Sequence, residues 1–420
     1  MIMENGMSAK KCAMIKDIFE ENWSKFSRRY SGRIRKTVIE DVEKMLKCGD
    51  LSCGYAEYEC VSCGETKKVA FTCKSRFCSS CGKIYVDKRA ENMTNKLIKV
   101  KHRHMVFTIP EELRVYFLRD RGLLSLLAKE SYEVLKRYFE RINKSKKLRT
   151  GMVCVIHTFG RDLKWNPHVH CLVPEGGQSV DGVWKQNKFF PYKLLRKSWQ
   201  VAILSALEKR IKKGKKNYNR IKNKLYAKYQ EGFYVYGKGE VRNARAATNY
   251  VGRYTGRPAI SNSRIVSYDG ELVTIWYKDH ESGEKIEETM EVEEFIKRAI
   301  RHIPERQFKM VRYYGIYSSN TTRRPLVVKM VHEKIKEIRE NHQNWRSRLR
   351  LYFGHDPLNC EKCGGKMRLS DIIYPRIGSV MKLYEEREFQ RVEKELLDLK
   401  NQYYSVKRYI NNPLFVGGRR

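Results

Sequence analysis

The crowding of cysteines between Cys48 and Cys81 constrains the fold more than any other feature of this sequence. That stretch holds seven of the twelve cysteines in the chain. It contains two CxxC pairs, each followed by glycine and separated from the other by fourteen residues. Four thiolates at this spacing can surround one zinc ion, because each pair clamps one side of the metal. The spacing therefore predicts a structural zinc site formed by Cys60, Cys63, Cys78 and Cys81, with Cys73 as a further candidate ligand.

The alternative for these cysteines is a set of reduced thiols without a metal, since cytosolic proteins seldom carry disulfides. Free thiols rarely pair so regularly, and zinc is the preferred interpretation. A closed four-thiolate site has no open coordination position, so its role would be structural and not catalytic. A later pair, Cys360 and Cys363, has no second CxxC close by in the sequence. For this pair a zinc site and an incidental role fit equally well.

The charge balance indicates a polyanionic partner. Of 420 residues, 86 are Lys or Arg and 48 are Asp or Glu, which leaves a net charge of +38 spread along the chain. This length predicts two or three domains. No apolar run approaches the roughly 20 residues of a membrane span, and residues 1–18 lack the pattern of a secretory signal. We expect no membrane partner and a cytoplasmic, nucleoid-associated protein.

The hydrophobic pattern alternates between helical and strand periods, which predicts an α+β chain. Helical spacing covers residues 15–46, with a break at Gly32, and recurs over 111–143, 192–212, a segment ending at 229, 240–255, 292–302, 328–341 and 381–401. Strand-like runs lie at 104–110, 264–277 and 308–313. Two more, at 152–159 and 169–173, are joined by a turn-rich connection that suits an antiparallel hairpin.

Two histidines, His168 and His170, lie two residues apart in a strand-like run, so both imidazoles leave the same face of the strand. With a third ligand they could hold one metal ion and leave positions open for water and a phosphate oxygen, as phosphoryl transfer requires. His157 on the partner strand is the first candidate for the third ligand, ahead of Asp162 and His104. The alternative is a pair of ordinary strand histidines.

Two tyrosines, Tyr250 and Tyr254, lie four residues apart in an Ala-rich helical segment and therefore on one helix face. Arg253 and Arg257 are near enough in sequence to meet a phosphate group. Packing is the usual cause of such spacing. Beside a metal site the pair has a chemical use: one phenol can attack a phosphate, and the second allows another cleavage while the first DNA end stays attached.

Eight spaced segments carry a family resemblance: residues 54–64, 73–81, 104–110, 158–170, 250–257, 302–304, 311–315 and 360–365. In this order they resemble the IS91-like transposases, which are two-tyrosine members of the HUH endonucleases. The likeness covers residues 15–367. One departure is Ser79, where the family usually has proline, and we expect ligation to be unaffected. The hydrophobic Val169 between His168 and His170 also fits the motif, whereas Arg103 between His102 and His104 does not.

The resemblance implies a function and a domain plan. Residues 1–100 would form a helical, zinc-stapled DNA-binding domain, residues 101–318 an HUH domain of antiparallel sheet flanked by helices, and residues 319–420 a basic, largely helical region. The chain would be a transposase that cuts and rejoins single-stranded or hairpin DNA ends. Its catalytic Mg²⁺ or Mn²⁺ would be bound by His168 and His170, and its nucleophiles would be Tyr250 and Tyr254.

Two alternatives remain open at this point. A rolling-circle plasmid replication initiator uses the same chemistry, and only the flanking DNA would separate the two. A non-catalytic scaffold that binds nucleic acid through zinc and positive charge belongs to another class. Such a scaffold would tolerate Tyr→Phe changes at positions 250 and 254, because phenylalanine stacks on bases equally well.

Overall fold

A computed structural model describes residues 15–79, 81–82, 93, 97–98, 100–142, 148–211, 214–241, 259–279, 282–318, 356 and 358–410. The chain divides into two compact units, and each unit is assembled from two separate stretches of sequence. The first unit comprises Met1–Leu46 and Cys73–Arg339, and the second comprises Lys47–Thr72 and Glu340–Arg420. These limits differ from the predicted division at residues 100 and 318, because segments distant in the chain pack together.

Helices and strands alternate along the described chain, which confirms the α+β class. The helices are α1 (Ile15–Arg29), α2 (Lys36–Leu46), α3 (Glu111–Arg119), α4 (Leu124–Ile142), α5 (Tyr192–Arg210), α6 (Lys215–Lys228), α7 (Val292–Ile300) and α8 (Val380–Ile410). The strands are β1 (Tyr55–Cys60), β2 (Thr66–Ala70), β3 (His102–Thr108), β4 (Gly151–Phe159), β5 (Trp165–Pro174), β6 (Gly176–Gln178), β7 (Trp184–Gln186), β8 (Val235–Val241), β9 (Ile265–Tyr268), β10 (Leu272–Lys278), β11 (Lys285–Glu291), β12 (Val311–Gly315), β13 (Met367–Tyr374) and β14 (Gly378–Ser379).

The first unit is organised around a five-stranded antiparallel sheet in the order β12-β4-β5-β3-β8. One face of this sheet packs against α3, α4, α5 and α6 in a large apolar core that includes Phe107, Phe139 and Trp199. Successive residues of a strand point to opposite faces. Cys154 and Cys171 therefore face the helices, whereas their neighbours in β4 and β5 face the other side.

That other side of the sheet carries a smaller apolar cluster around Val153, Val155 and Leu172. Along the same strands, two residues further on, the apolar side chains give way to histidines. The change from aliphatic to imidazole side chains on one sheet face is what creates a polar site on an otherwise apolar surface.

Local sequence signals explain the amino-terminal helices. The α1 stripe Ile15, Ile18, Phe19, Trp23 and Phe26 is buried, as its helical spacing predicts. The chain then turns at Gly32, whose φ of 74° favours glycine. The predicted break between two helices is confirmed.

A second small sheet in the first unit has the order β11-β10-β9, and α7 follows β11 directly. β9 and β10 occupy the strand-like run predicted over 264–277, whereas β11 was not predicted. The helix predicted over 240–255 is wrong at its first two residues, because Glu240 and Val241 belong to β8. The remainder of that segment, and the helix predicted over 328–341, lie outside the described residues.

The second unit is built on a four-stranded sheet in the order β14-β13-β1-β2, followed by the long helix α8. Strand β13 pairs antiparallel with β1 from Tyr55 opposite Ile373 to Cys60 opposite Met367. Within its described residues, the carboxy-terminal region that was expected to be largely helical therefore contains a strand before its helix. The burial pattern of this strand lacks clean alternation, which is why periodicity alone does not predict it.

Candidate functional site

The predicted β4–β5 hairpin exists and sets His157 directly opposite His168. His170, two residues along β5, shares their face of the sheet. Each of the three residues offers a ring nitrogen, and the three nitrogens lie within 4.8 Å of one another. The structure thus brings together the three histidines that the sequence selected as a metal-ligand set.

The short distances between the three rings favour a cation that they share. The Nε2 atoms of His168 and His170 are 3.0 Å apart, and the His157 ring lies 4.5 Å from the His170 ring, centroid to centroid. Two imidazole nitrogens this close cannot both carry a proton and point at each other without repulsion. A shared proton or a shared cation relieves that repulsion.

The Nδ1 atoms of His168 and His170 both have a hydrogen-bond partner within the protein. His168 Nδ1 is 2.7 Å from the Asn166 carbonyl oxygen, to which it donates a hydrogen bond, and this leaves Nε2 free to act as an electron-pair donor. His170 Nδ1 is 3.0 Å from Nε2 of His104. Partners of this kind fix ring tautomer and orientation around bound metals.

Burial keeps these imidazoles neutral. It lowers the pKa of His168 to about 4, an effect that the hydrogen bond to Asn166 opposes only in part. Burial, followed by the neighbouring histidines His157, His168 and His104, lowers the pKa of His170 well below its usual range. A metal ligand must be deprotonated, so both rings are ready to bind a cation at neutral pH.

The other candidates for the third ligand are engaged elsewhere. Asp162 accepts a hydrogen bond from the backbone N–H of Lys164, at 3.1 Å, within its own turn. His104 lies against the back of His170 and away from the three-nitrogen cluster. Its partner in the second HxH motif, His102, is buried with Nε2 2.6 Å from the Tyr317 hydroxyl. The structure therefore gives the two HxH motifs different surroundings.

One buried histidine was not singled out by the sequence. His302 accepts a hydrogen bond at Nδ1 from the Thr158 hydroxyl and donates one from Nε2 to the Leu163 carbonyl oxygen, at 3.1 and 2.9 Å. Both ring nitrogens are occupied, so this histidine supports the turn between β4 and β5 and has none left for a metal. Its position two residues before Pro304 in the sequence gives no hint of that role.

The predicted nucleophiles Tyr250 and Tyr254 lie outside the described residues, as do Arg253 and Arg257. The structure describes the strand that leads to them. β8 ends at Val241 and forms the edge of the sheet beside β3. β3 in turn pairs with β5, which carries His168 and His170.

The cysteines group differently from the sequence prediction. Cys60 and Cys63 lie with Cys360 and Cys363 in the second unit, whereas Cys73, Cys78 and Cys81 lie together in the first; within each group the sulfur atoms are within 4.8 Å. The predicted set of Cys60, Cys63, Cys78 and Cys81 is therefore not the one that the fold brings together. The reason is the pairing of β1 with β13, which places a distant CxxC beside the first one.

Comparisons with known proteins identify two regions of the chain. Residues 18–109 match the family model "Transposase zinc-binding domain", and residues 151–324 match the model "Putative transposase". The two models include Cys60, Cys63, Cys73, Cys78 and Cys81 in the first and the three-histidine cluster in the second. These matches, together with the cysteine groups, define a zinc-binding transposase.

Two relatives narrow the class to a family. The chain is 30% identical to the transposase of insertion sequence element IS801 from Pseudomonas savastanoi pv. phaseolicola, over 84% of this chain and 88% of the relative. It is also 30% identical to "Putative transposase y4qJ" of Sinorhizobium fredii, over 61% of this chain and 68% of the relative. No solved structure gives a significant match. The chain belongs to the IS91-like family of transposases.

Proposed function

We propose that this transposase cuts and rejoins single-stranded DNA through a 5′-phosphotyrosine intermediate, with Tyr250 and Tyr254 as nucleophiles. The observation that carries the proposal is the convergence of three imidazoles, His157, His168 and His170, on one point of the sheet. A transposase needs a site that handles phosphate, and three protein ligands leave coordination positions open for a phosphate oxygen.

In this proposal the histidine cluster holds Mg²⁺ or Mn²⁺. Such ions favour oxygen donors, so the three imidazoles would anchor the ion while water and phosphate oxygens would fill its remaining positions. When bound, the ion would polarise the scissile phosphate and stabilise negative charge on the departing 3′ oxygen. The hydrogen bonds that His168 donates to the Asn166 carbonyl oxygen and His170 donates to His104 keep these two rings in place before DNA arrives.

The tyrosine provides the covalent step. Its hydroxyl loses a proton to solvent as the oxygen attacks phosphorus; the new tyrosine–phosphorus bond forms while the bond to the 3′ oxygen breaks, and that oxygen takes up a proton. The phosphodiester energy is kept in the new ester, so the reverse reaction can rejoin a strand. A second tyrosine one helical turn away would permit a second cleavage while the first end is held, and Arg253 and Arg257 would contact phosphate groups.

The partner and setting follow from the same proposal. The substrate would be single-stranded or hairpin DNA at the element ends, which the net charge of +38 would attract. Residues 1–100, 101–318 and 319–420 would act as DNA-binding, catalytic and accessory modules in a cytoplasmic, nucleoid-associated protein. In the described part of the chain, no helix is long and apolar enough to cross a membrane.

The decisive experiment is a denaturing gel of the purified protein incubated with Mn²⁺ and labelled single strands from both ends of its own element. We expect a slow, protease-sensitive DNA adduct that persists in Tyr250→Phe and in Tyr254→Phe and disappears in the double variant. A double variant that still forms the adduct would show that another residue is the nucleophile. Absence of any adduct with the unaltered protein would favour the non-catalytic scaffold.

The proposed binding of metal by the histidine cluster is tested separately by calorimetric titration with Mn²⁺. The His157→Ala variant should bind Mn²⁺ far more weakly than the unaltered protein, because it loses one of three ligands. The His302→Gln variant is the matched control, since His302 is a buried histidine whose ring nitrogens are both used within the protein. Equal Mn²⁺ affinity in the His157→Ala variant would contradict the ligand assignment.

A further inference from the structure

Two CxxC segments from opposite ends of the chain have the same local geometry. In Cys60–Gly64, the glycine N–H donates to the Cys60 carbonyl oxygen at 3.0 Å, and in Cys360–Gly364 the glycine N–H donates to the Cys360 carbonyl oxygen at 2.9 Å. Both glycines have positive φ, 69° and 72°, which is the left-handed conformation that glycine accepts without strain. These are two copies of one metal-binding turn.

A second hydrogen bond repeats in both turns. The backbone N–H of Cys60 donates to the Glu65 carbonyl oxygen, and that of Cys360 donates to the Gly365 carbonyl oxygen, both at 2.8 Å. The same two backbone hydrogen bonds therefore fix the conformation of both turns. Such preorganised pairs are how a protein presents thiolates to one side of a metal.

The two turns face each other at the distance that a metal requires. Cys60 Sγ is 3.5 Å from Cys363 Sγ, and Cys63 Sγ is 3.7 Å from Cys360 Sγ. A tetrahedral zinc ion with Zn–S bonds of about 2.3 Å places its sulfur ligands about 3.8 Å apart. All four sulfur atoms lie within 4.8 Å of one another. This is the outline of a four-thiolate zinc site.

The surrounding core is too small to hold the turns together alone. Its buried members are Tyr58, Cys60, Cys360 and Met367, so two of the four are themselves candidate ligands. The ion pairs near the turns, Lys362 with Glu65 and Lys67 with Glu361, each include an exposed side chain, and such pairs contribute little to stability. Small domains with so little core usually depend on a metal.

We infer that Cys60, Cys63, Cys360 and Cys363 bind one zinc ion, and that this ion joins two parts of the chain about 300 residues apart into a single zinc-binding domain. The paired ligands are separated by 303 and 297 residues. The matched zinc-binding family model covers residues 18–109 and the transposase model 151–324, so Cys360 and Cys363 lie outside both. The zinc-binding domain therefore extends to the carboxy-terminal strand β13.

A discontinuous site has a consequence for folding. The stretch Cys73–Arg339, which includes the histidine cluster, is inserted between the two halves of the second unit. Zinc bound by both halves closes that insertion into a loop and fixes where the chain enters and leaves it. Closing so long a loop is entropically costly, and zinc–thiolate binding is strong enough to offset that cost.

The test is the zinc content of the purified full-length protein, measured by elemental mass spectrometry as equivalents of zinc per chain. Three variants are compared: Cys60→Ser with Cys63→Ser, Cys360→Ser with Cys363→Ser, and all four changes together. We expect each pair to remove one equivalent of zinc and the fourfold variant to remove the same single equivalent. The Cys53→Ser variant is the control, because the Cys53 thiol lies near Asp50 and belongs to neither cysteine group.

Other results would overturn the inference. A loss of two equivalents in the fourfold variant would mean that the two pairs belong to separate sites. Full zinc content in the Cys360→Ser, Cys363→Ser variant, or iron in place of zinc, would also contradict it. Should the variants fail to fold, the unaltered protein still answers the question: as a chelator removes zinc, alkylation should label Cys60, Cys63, Cys360 and Cys363 at one common rate. Independent rates would refute a shared ion.

Discussion

His104 Nε2 lies 3.0 Å from His170 Nδ1, and the two rings are within 11° of parallel. The two residues sit on adjacent strands, with His104 opposite Leu172 and His170 opposite Val106 in the β3–β5 register. For His170 to present Nε2 to a cation, its Nδ1 must carry the proton and donate to His104. His104 is therefore a positioning residue: it sets the tautomer of a proposed ligand without touching the cation.

We expect His104→Ala to weaken Mn²⁺ binding about 10- to 100-fold, which is the usual loss when a partner of a metal ligand is removed. The His104→Gln variant should recover part of the affinity, because a glutamine amide oxygen can accept the same hydrogen bond from His170. Calorimetric titration of both variants measures the effect. If alanine and glutamine gave equal Mn²⁺ affinities, the hydrogen bond would not be what matters.

His302 makes folding stability depend on pH. Burial lowers its pKa from 6.5 to about 3, and Arg121 and Arg301 lower it further while Leu163 opposes the change. Between these two pKa values, His302 is therefore protonated in the unfolded chain and neutral in the folded chain. Stability from this residue is present above pH 6.5 and is lost as the pH falls from 6.5 towards 3, by about 1.4 kcal/mol per pH unit.

We expect His302→Gln to remove that contribution to the slope, since a glutamine amide can donate to Leu163 and accept from Thr158 but does not titrate. Urea unfolding at several pH values, followed by tryptophan fluorescence, gives the free energy of unfolding and its slope. The difference in slope between the variant and the unaltered protein should be confined to the range between pH 3 and 6.5. An unchanged slope would mean that His302 is not the proton-excluding group.

The sequence predicted how the histidines group together but not how the cysteines do. The spacing of His168 and His170 in one strand, and the turn-rich link to the strand of His157, are local signals, so the hairpin followed from them. The cysteine groups depend on β1 pairing with β13 across some 300 residues. No local spacing encodes such a pairing, and the nearest second CxxC, at Cys78, was therefore chosen in place of Cys360. Strand β13 was missed for the same reason.

The second HxH motif shows a related limit. Its middle residue, Arg103, points to the opposite side of β3 from His102 and His104 and binds Glu175, with the guanidinium nitrogens 2.7 and 3.0 Å from one carboxylate oxygen. The Glu175 side chain is fully buried. From the sequence alone, this motif is only a weaker candidate for binding a metal. In the structure, its arginine forms an ion pair with a buried carboxylate.

We expect Arg103→Ala to destabilise the protein by about 3 to 5 kcal/mol, because it leaves the Glu175 carboxylate buried without its cation. The double variant Arg103→Met, Glu175→Gln should lose much less, since it removes both charges and keeps most of the volume. Thermal unfolding of the two variants provides the comparison. Equal destabilisation in both would assign the effect to the lost contact between the guanidinium group and the Phe190 ring and not to the unpaired carboxylate.

A basic cleft in the first unit offers a place for DNA phosphates. Its lining includes five cationic side chains beside the aromatic rings of Phe26 and Tyr30: Arg33, Arg35, Arg121, Lys297 and Arg301. Three of them already have partners within the protein. Arg35 binds Glu305, Lys297 pairs with Glu293, and Arg121 donates to the Arg301 carbonyl oxygen at 2.6 Å. Arg33 and Arg301 are the cations best placed to meet an added phosphate.

We expect Arg33→Ala and Arg301→Ala each to weaken binding of single-stranded DNA to a similar extent for all sequences, because phosphate contacts carry no sequence information. Each change should also lower the slope of log affinity against log salt concentration by about 0.7, the value for one phosphate contact on a single strand. Fluorescence anisotropy over a salt series measures both quantities. Arg119→Ala, which removes an exposed arginine outside the cleft, is the matched control and should leave the slope unchanged; an equal drop in this variant would mean that DNA senses the overall charge and not the cleft.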